Sequence, residues 1–167
     1  LDEARSASAA TGTEVAVIVA ASRMRHPLEA RTLARLAVRY AGTGAGDVVG
    51  FGLSNDERRG RTDEFAHAFR IAAHGDLAAV PHGGELLGPD HIGIVLADLG
   101  PRRLGHGVRA AEDPRLLDTI VRQGVALEVC PSSNVSLGVY DKVAELPLAT
   151  LLDAGTQVAL GADDPLL

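Results

Sequence analysis

Short runs of apolar residues recur along the chain and alternate with longer segments in which apolar residues follow a helical spacing. Each run is continuously apolar or rich in β-branched residues, which is typical of strands buried on both faces. The pattern predicts six strands, at residues 14–21, 47–53, 78–80, 103–105, 125–129 and 157–160. Several of these runs follow a glycine at a position where glycine ends a helix, namely Gly75, Gly100, Gly124 and Gly155.

The segments between the runs predict amphipathic helices. Two apolar stripes illustrate the spacing, one at Leu33, Leu36, Ala37 and Tyr40 and the other at Leu148, Leu151 and Leu152. Alternating strands and helices imply a parallel sheet, which is either doubly wound or closed into a barrel.

Polar residues stand where three of the predicted strands end. His82 and Glu85 follow the third strand, His106 follows the fourth between two glycines, and Asp163 and Asp164 follow the last. A (β/α)8 barrel gathers functional groups from the C-terminal ends of many strands. A doubly wound sheet instead concentrates its site at one switch point. The pattern therefore favours the barrel over a doubly wound binding domain.

We predict an α/β fold of the (β/α)8 TIM-barrel type and a single domain, a partial barrel over residues 1–167. A complete barrel typically takes about 250 residues. We therefore expect about six β/α units, with the first strands and the C-terminal end of the barrel missing. The open edges of such a sheet would favour association, although the sequence leaves the oligomeric state open.

Composition narrows the range of partners. The net charge of −6 argues against nucleic acid or an anionic membrane as a partner, because both require a basic face. No uninterrupted apolar stretch is long enough to span a bilayer. A single cysteine, Cys130, excludes an intramolecular disulfide and a cysteine-rich zinc cluster, which suits a cytoplasmic protein.

Each polar motif alone also fits an ordinary turn. A lone His82 or His106 is more often structural than a ligand, and an aspartate pair before a proline is a common helix cap. Three such motifs at three strand ends instead favour a hydrolase that activates water on a metal ion, since neutral imidazoles and carboxylates bind zinc. The H-E-x-x-H signature of metalloproteases and the H-x-E with P-C-x-x-C of cytidine-type deaminases are both absent from the sequence.

The order and spacing of these motifs resemble those of the adenosine deaminase family. Residues 82–85 (H-G-G-E) are similar to its H-A-G-E, residues 103–107 (R-L-G-H-G) to its R-I-G-H-G, residues 127–134 (L-E-V-C-P-S-S-N) to its L-E-V-C-P-x-S-N, and residues 162–165 (A-D-D-P) to its T-D-D-P. Upstream, residues 24–26 match its M-R-H, and residues 53–57 (L-S-N-D-E) resemble its L-A-G-D-E. The resemblance covers essentially the whole chain.

The resemblance implies a zinc-dependent barrel that hydrolyses the 6-amino group of a purine and releases ammonia. On this basis His82 and Asp163 would bind Zn2+. Glu85 would protonate the purine ring at N1, which requires a carboxyl whose pKa is raised by burial. His106 would orient the attacking water and help to remove its proton, and Asp164 would hydrogen-bond the ring at N7.

Two departures from the family pattern change these expectations. The H-x-H of the family's first strand, which supplies two more zinc ligands, has no counterpart in the sequence. Two protein ligands hold catalytic zinc poorly, so we expect a fragment of a larger enzyme that is inactive alone. Asn55 stands where adenosine deaminases place a glycine that contacts purine N3, and a side chain there alters the substrate-binding pocket.

The expected substrate is a 6-aminopurine nucleoside, adenosine first, which would become inosine. Adenine and 6-amino-6-deoxyfutalosine are alternatives of the same reaction class. A catalytically silent purine-binding barrel is an alternative of another class, favoured by the missing ligands.

The remaining histidines are expected to be structural. His91 is predicted in an exposed position at the start of a helix, and His26 at the end of a strand without a catalytic role. The glycine-rich residues 42–46 follow a helix and precede a strand, which is the reverse of a nucleotide-binding loop, so they predict a turn.

Overall fold

The computed structural model describes residues 1–164, which fold into one sheet of six parallel strands with helices between them. The strands are β1 (Val17–Ser22), β2 (Val48–Ser54), β3 (Ala78–Gly83), β4 (Arg103–His106), β5 (Ala126–Val129) and β6 (Val158–Leu160). Pro165, the last residue of the A-D-D-P motif, lies outside the described residues.

Seven α-helices occur in the described part of the chain. They are α1 (Asp2–Thr11), α2 (Pro27–Val38), α3 (Thr62–His74), α4 (Pro89–Leu99), α5 (Pro114–Gln123), α6 (Pro131–Ser136) and α7 (Leu148–Asp153), with 3-10 turns at Val108–Glu112 and Val143–Glu145. Four of these helices, α2, α4, α5 and α6, begin with proline. Proline suits this position because the first helical N–H has no partner inside the helix.

The strand order in the sheet is the order in the sequence, from β1 to β6. A doubly wound sheet reverses its order at a switch point, so this topology is that of a barrel wall, as predicted. All six predicted strands are present, with shifted ends. β1 begins at Val17 rather than at residue 14, and β3 continues to Gly83, so that His82 lies inside the strand.

The core lies between the sheet and the helices that cover it. Phe51 of β2 and Phe69 of α3 are fully buried there and meet edge to face, with ring centroids 5.2 Å apart. Branched and aromatic side chains from both layers complete this core, as expected for strands buried on both faces.

The buried face of α2 differs from the predicted stripe. Ala30, Ala34 and Ala37 are buried, whereas Leu36 and Tyr40 are 47% and 50% exposed. Both sets follow a helical spacing, so periodicity alone does not distinguish them. Ala37 belongs to both sets, and Leu33 of the predicted stripe packs half-buried against the core. The stripe is therefore confirmed at these two positions and wrong at Leu36 and Tyr40.

The turn predicted at residues 42–46 is confirmed, whereas His26 lies beyond the end of β1, at the N-cap of α2. Residues 42–46 form a turn, in which the carboxylate of Asp47 accepts a hydrogen bond from the N–H of Gly44. His26 caps α2, because its Nδ1 accepts a hydrogen bond from the N–H of Leu28. Within residues 1–164, none of the helices combines the length and apolar character needed to cross a bilayer.

Candidate active site

The parallel register of β3 and β4 brings two histidines together at the C-terminal end of the sheet. His82 is opposite Gly105, and Gly83 is opposite His106. The two imidazole rings stand at 88° to each other with their centroids 4.7 Å apart. Regular alternation in this register would direct the two side chains to opposite faces of the sheet. The positive φ of His106 (66°) breaks that alternation and lets its ring meet the ring of His82.

Gly105 makes room for the His82 ring. A Cβ atom at position 105 would lie 2.5 Å from Cδ2 of His82. That separation is much shorter than a van der Waals contact, so any side chain at this position would displace the imidazole. The first glycine of the G-H-G motif is therefore needed for the position of the His82 ring.

Glu85 joins the two histidines from the loop that follows β3. Its Oε1 lies 3.5 Å from Nδ1 of His106. One potential ligand atom each from His82, Glu85 and His106 lies within 4.8 Å of the other two. Both Glu85 Oε1 and His106 Nδ1 are buried and have no hydrogen-bond partner among residues 1–164. Such atoms are costly unless a ligand or ion satisfies them.

Burial controls the protonation of these groups. Burial, together with the nearby negative charges of Glu57 and Asp163, raises the pKa of the Glu85 carboxyl to about 7. Burial lowers the pKa of His82 to about 4, and it lowers the pKa of His106 as well. The imidazoles are therefore neutral at pH 7 and have a lone pair for a proton or a metal ion, whereas Glu85 holds its proton up to about neutral pH.

Asp163 approaches the same cavity from the segment after β6. Its Oδ2 accepts a hydrogen bond of 2.7 Å from Oγ of Ser133 at the start of α6. Asp163, His82 and His106 line one cavity of about 330 Å³. The negative charge of Asp163 opposes the effect of burial on the pKa of both histidines. Asp164 follows at the end of the described segment, where it is exposed.

Asn55 is separate from this group. It is exposed in the loop after β2, and its Nδ2 donates a hydrogen bond of 2.8 Å to Oγ of Ser22. It does not line the cavity that the two histidines and Asp163 share. The structure therefore brings His82, Glu85, His106 and Asp163 together but leaves Asn55 outside the group.

Backbone strain coincides with the candidate residues. Four non-glycine residues of the described chain have positive φ, and three of them are Asn55 (74°), His106 (66°) and Asp163 (67°). The fourth is Asp76, in the turn after α3. This conformation is uncommon for residues with a side chain, and it tends to occur at functional sites.

Two buried charges next to the site were not assigned a role from the sequence. Arg23 and Glu57 are only 3% and 2% exposed. Glu57 belongs to the quoted L-S-N-D-E segment, but its position in a polar loop gave no signal of burial. The exposed position predicted for His91 is wrong, because its ring lies between Glu57 and Thr62 with its side chain 11% exposed.

Comparisons with known proteins agree with this geometry. The family model described as adenosine deaminase matches residues 1–167. A Streptomyces virginiae protein named "Putative adenosine/adenine deaminase" is 59% identical over 167 residues, which are 100% of this chain and 48% of that protein. An adenine deaminase from Agrobacterium fabrum is 40% identical over 161 residues, 96% of this chain and 49% of that protein.

A solved structure shows the same fold. The crystal structure of adenine deaminase from Arthrobacter aurescens superposes with a TM-score of 0.87 at 30% sequence identity, covering 98% of this chain and 49% of that one. The chain thus spans about half the length of the curated relatives it matches. Its six strands and their helices correspond to part of a TIM-barrel wall.

Proposed function

The chain belongs to the adenosine deaminase family, and from that premise we propose that it takes part in the hydrolytic deamination of a 6-aminopurine. The observation that supports this proposal best is the convergence of His82, Glu85 and His106, with ligand atoms within 4.8 Å of one another at the ends of β3 and β4. We further propose that residues 1–167 act as one unit, a partial barrel that contributes these groups to the site.

The residues present fit a zinc ion. Burial keeps the imidazole of His82 neutral, and the carboxylate of Asp163 lines the same cavity. Neutral imidazole nitrogens and carboxylate oxygens are the donors that zinc prefers besides thiolates. We propose that His82 and Asp163 hold the ion, with Ser133 fixing Asp163 through its hydrogen bond. When bound, zinc supplies an electrophile that makes water acidic enough to lose a proton near neutral pH.

The other residues supply proton transfer and orientation. The reaction adds water to C6 of the purine, breaks the C6–amino bond and leaves a 6-oxo group and ammonia. Glu85, whose pKa is about 7, donates its proton to ring N1 as the water oxygen attacks C6. His106, whose neutral ring is suited to the role, accepts the proton that this water loses and passes it to the amino group, which leaves as ammonia. The proton left on the new hydroxyl group returns to Glu85 as the 6-oxo group forms. Asp164 hydrogen-bonds the ring at N7 and orients the purine.

Adenine is the first substrate that we propose, with adenosine and 6-amino-6-deoxyfutalosine as alternatives. Two of the relatives compared above are named adenine deaminases. Asn55 also adds a side chain and a hydrogen bond to Ser22 where adenosine deaminases place glycine. Asn55 lies outside the cavity that His82, His106 and Asp163 line, so we propose that it affects the choice of substrate at the edge of the pocket rather than beside the reacting atoms.

Ammonia release tests the proposal. The purified chain in zinc-saturated buffer is offered adenine, adenosine and 6-amino-6-deoxyfutalosine side by side, and the Glu85→Gln variant is assayed in parallel. We expect release from one substrate when the remaining strands of the barrel are supplied, since the chain itself lacks the H-x-H ligands, and loss of that release in Glu85→Gln, because glutamine has no acidic proton to give to N1. The matched control is Glu64→Gln on the exposed face of α3, which should keep the rate of the unsubstituted chain.

A silent purine-binding barrel is the second candidate function, since the sequence lacks an H-x-H motif and hence two metal ligands of the family. Equilibrium dialysis of the same purines separates the two functions. Binding without ammonia release, in a protein shown to contain zinc, would contradict the enzyme and support the binding module.

A further inference from the structure

Arg23 and Glu57 lie on either side of the segment that carries His82 and Glu85. Arg23 follows β1 directly and Glu57 lies in the loop after β2, and both side chains are almost fully buried. A buried charge is unfavourable unless it is paired or hydrogen-bonded. The partners of these two side chains therefore indicate why the fold retains them.

The carboxylate of Glu57 binds a row of three consecutive backbone N–H groups. Its Oε1 accepts a hydrogen bond of 3.1 Å from the N–H of Glu85. Its Oε2 accepts bonds of 3.1 Å and 2.9 Å from the N–H groups of Leu86 and Leu87. Successive N–H groups that point into one concavity form an anion-binding site. Here the chain fills that site with its own side chain.

The guanidinium of Arg23 holds the other end of the same segment. Its Nη2 donates a hydrogen bond of 3.0 Å to the carbonyl oxygen of His82, and its Nη1 donates one of 3.1 Å to Oγ1 of Thr62. Thr62 Oγ1 lies 3.3 Å from Nε2 of His91, whose Nδ1 is 3.8 Å from Oε2 of Glu57. The two charged groups are thus connected through the first turns of α3 and α4.

Between these two anchors, the carbonyl oxygens of Gly83 and Gly84 accept hydrogen bonds from the N–H groups of Gly107 and Arg109, and that of Leu86 accepts one from Nη1 of Arg109. The N–H groups of residues 85–87 instead depend on Glu57. β3 ends at Gly83, and the backbone turns sharply at Gly84, where φ is 82°. The ladder that fixes His82 therefore does not extend to Glu85. Without Glu57, three adjacent N–H groups would lack an acceptor in a largely buried loop.

We propose that Arg23 and Glu57 are positioning residues that fix segment 82–87 at both ends, so that the His82 imidazole and the Glu85 carboxyl stay within reach of each other. Neither side chain lines the cavity shared by the histidines, so both act through the backbone of this segment. The consequence for turnover rests on the proposed function, whereas the consequence for the backbone does not.

Amide hydrogen exchange tests the backbone effect by residue-resolved NMR on the full chain. In Glu57→Gln, which keeps the shape but loses the charge and one acceptor, we expect the amides of residues 85–87 to exchange about 10-fold to 100-fold faster. Amides in the middle of β4 should be unchanged. Glu64→Gln is the matched control and should leave residues 85–87 as in the unsubstituted chain. Unchanged exchange at residues 85–87 in a folded Glu57→Gln variant would overturn the proposal.

A second variant covers the case in which Glu57→Gln does not fold. Arg23→Lys keeps the charge but cannot bridge two acceptors as a planar guanidinium does. We expect it to release the carbonyl of His82, seen as a shift of the Gly83 amide resonance, without loss of the helical circular dichroism. An unshifted Gly83 resonance in folded Arg23→Lys would remove Arg23 from the proposal. Exposed Thr43, whose N–H has no acceptor among residues 1–164, gives the exchange rate of an unprotected amide. Exchange at Leu86 and Leu87 as fast as at Thr43 in the unsubstituted chain would overturn the role of Glu57 without any variant.

Turnover supplies the functional readout. Since neither residue touches the substrate, Glu57→Gln should lower kcat by about 10-fold to 100-fold, as other changes in the groups supporting a site do, and leave KM within about 2-fold. Equal kcat in Glu57→Gln and Glu64→Gln would contradict the positioning role in catalysis. If the unsubstituted sequence releases no ammonia even within a complete barrel that supplies the H-x-H ligands, the proposed function fails, while the exchange experiment still decides whether Glu57 positions the segment.

Discussion

Burial of Glu85 beside two other carboxylates holds the pKa of its carboxyl at about 7, compared with 4.5 for a solvated glutamate. The folded protein therefore binds this proton more tightly than the unfolded chain does. Stability from this group is complete below pH 4.5 and decreases as the pH rises toward 7, since the folded state must then hold an unfavourable buried charge.

Glu85→Gln removes this titration. We expect the melting temperature of the variant, relative to that of the unsubstituted metal-free chain, to increase as the pH rises from about 5 to about 8. Differential scanning fluorimetry across that range measures the difference. A constant difference would show that Glu85 is ionised throughout, and exposed Glu64→Gln should show no such trend.

The burial of His82 leads to a second prediction, which concerns zinc affinity. Its imidazole is neutral at pH 7 because burial lowers its pKa to about 4, so zinc does not have to displace a proton from it. We expect His82→Ala to weaken zinc binding more than about 10-fold. Removal of a residue that only hydrogen-bonds a metal ligand already lowers metal affinity by about 10-fold to 100-fold. Competition with a chromogenic chelator measures the change.

The matched control for His82 is His74→Ala, which removes an exposed imidazole from the last turn of α3. Equal zinc affinity in the two variants would exclude His82 as a ligand.

Single residues show where prediction from the sequence ends. His82, Glu85 and His106 were predictable because each is a chemically distinctive residue at a strand end. Arg23 and Glu57 were not, because a charged residue in a loop is normally solvated, and only the folded structure shows the backbone groups that bind it.

At the scale of elements, the pairing of β3 with β4 places the two histidines at neighbouring positions of the sheet. Gly105 leaves the space that the His82 ring occupies. Gly105→Ala places a methyl group 2.5 Å from Cδ2 of His82. We expect a loss of about 1–3 kcal/mol in the free energy of unfolding, typical of overpacking, together with weaker zinc binding. Urea denaturation and the chelator assay measure the two effects.

Gly93 provides the control for that substitution. It lies inside α4, and a Cβ atom there would meet nothing within 4 Å. Gly93→Ala should therefore raise the free energy of unfolding by about 0.5–1 kcal/mol, because alanine favours the helix. If both alanine variants changed stability in the same direction, the contact with His82 would not explain the result at position 105.

Helix α2 illustrates what periodicity leaves undecided. Its alanine face and its leucine face both satisfy a helical repeat, and the structure buries the alanines. We expect Ala34→Leu to lower the free energy of unfolding by about 1–3 kcal/mol, because Ala34 is fully buried in a close contact. Leu36→Ala should change it by less than about 0.5 kcal/mol, and urea denaturation compares the two. The reverse order of effects would restore the stripe predicted from the sequence.

The elements were more predictable than their ends. All six strands were recognisable because continuous apolar runs bounded by glycine have few alternatives. The extension of β3 to Gly83 was not, since Pro81 and two glycines read as a turn, whereas the register with β2 and β4 keeps this segment in the sheet.

At the scale of the whole molecule, the sheet has an outer strand on each side. β1 pairs only with β2 and β6 only with β5 among the described residues. Outer strands expose unpaired backbone groups that favour association with another chain. Exposed apolar side chains accompany both edges, with Ile18 of β1 43% and Leu160 of β6 66% exposed. An apolar groove of about 600 Å³ between β1 and α2 adjoins the first edge.

We therefore expect the chain to associate in a concentration-dependent manner. Ile18→Lys should shift it toward the monomer, because a charge on an edge strand opposes pairing with another strand. Sedimentation velocity over a range of concentrations measures the shift. Ile94→Lys makes the same substitution at a residue of α4 that is 49% exposed and distant in the fold from either edge strand. Since only the edge offers backbone groups to a second chain, equal effects of the two lysines would attribute the association to general hydrophobicity rather than to β1.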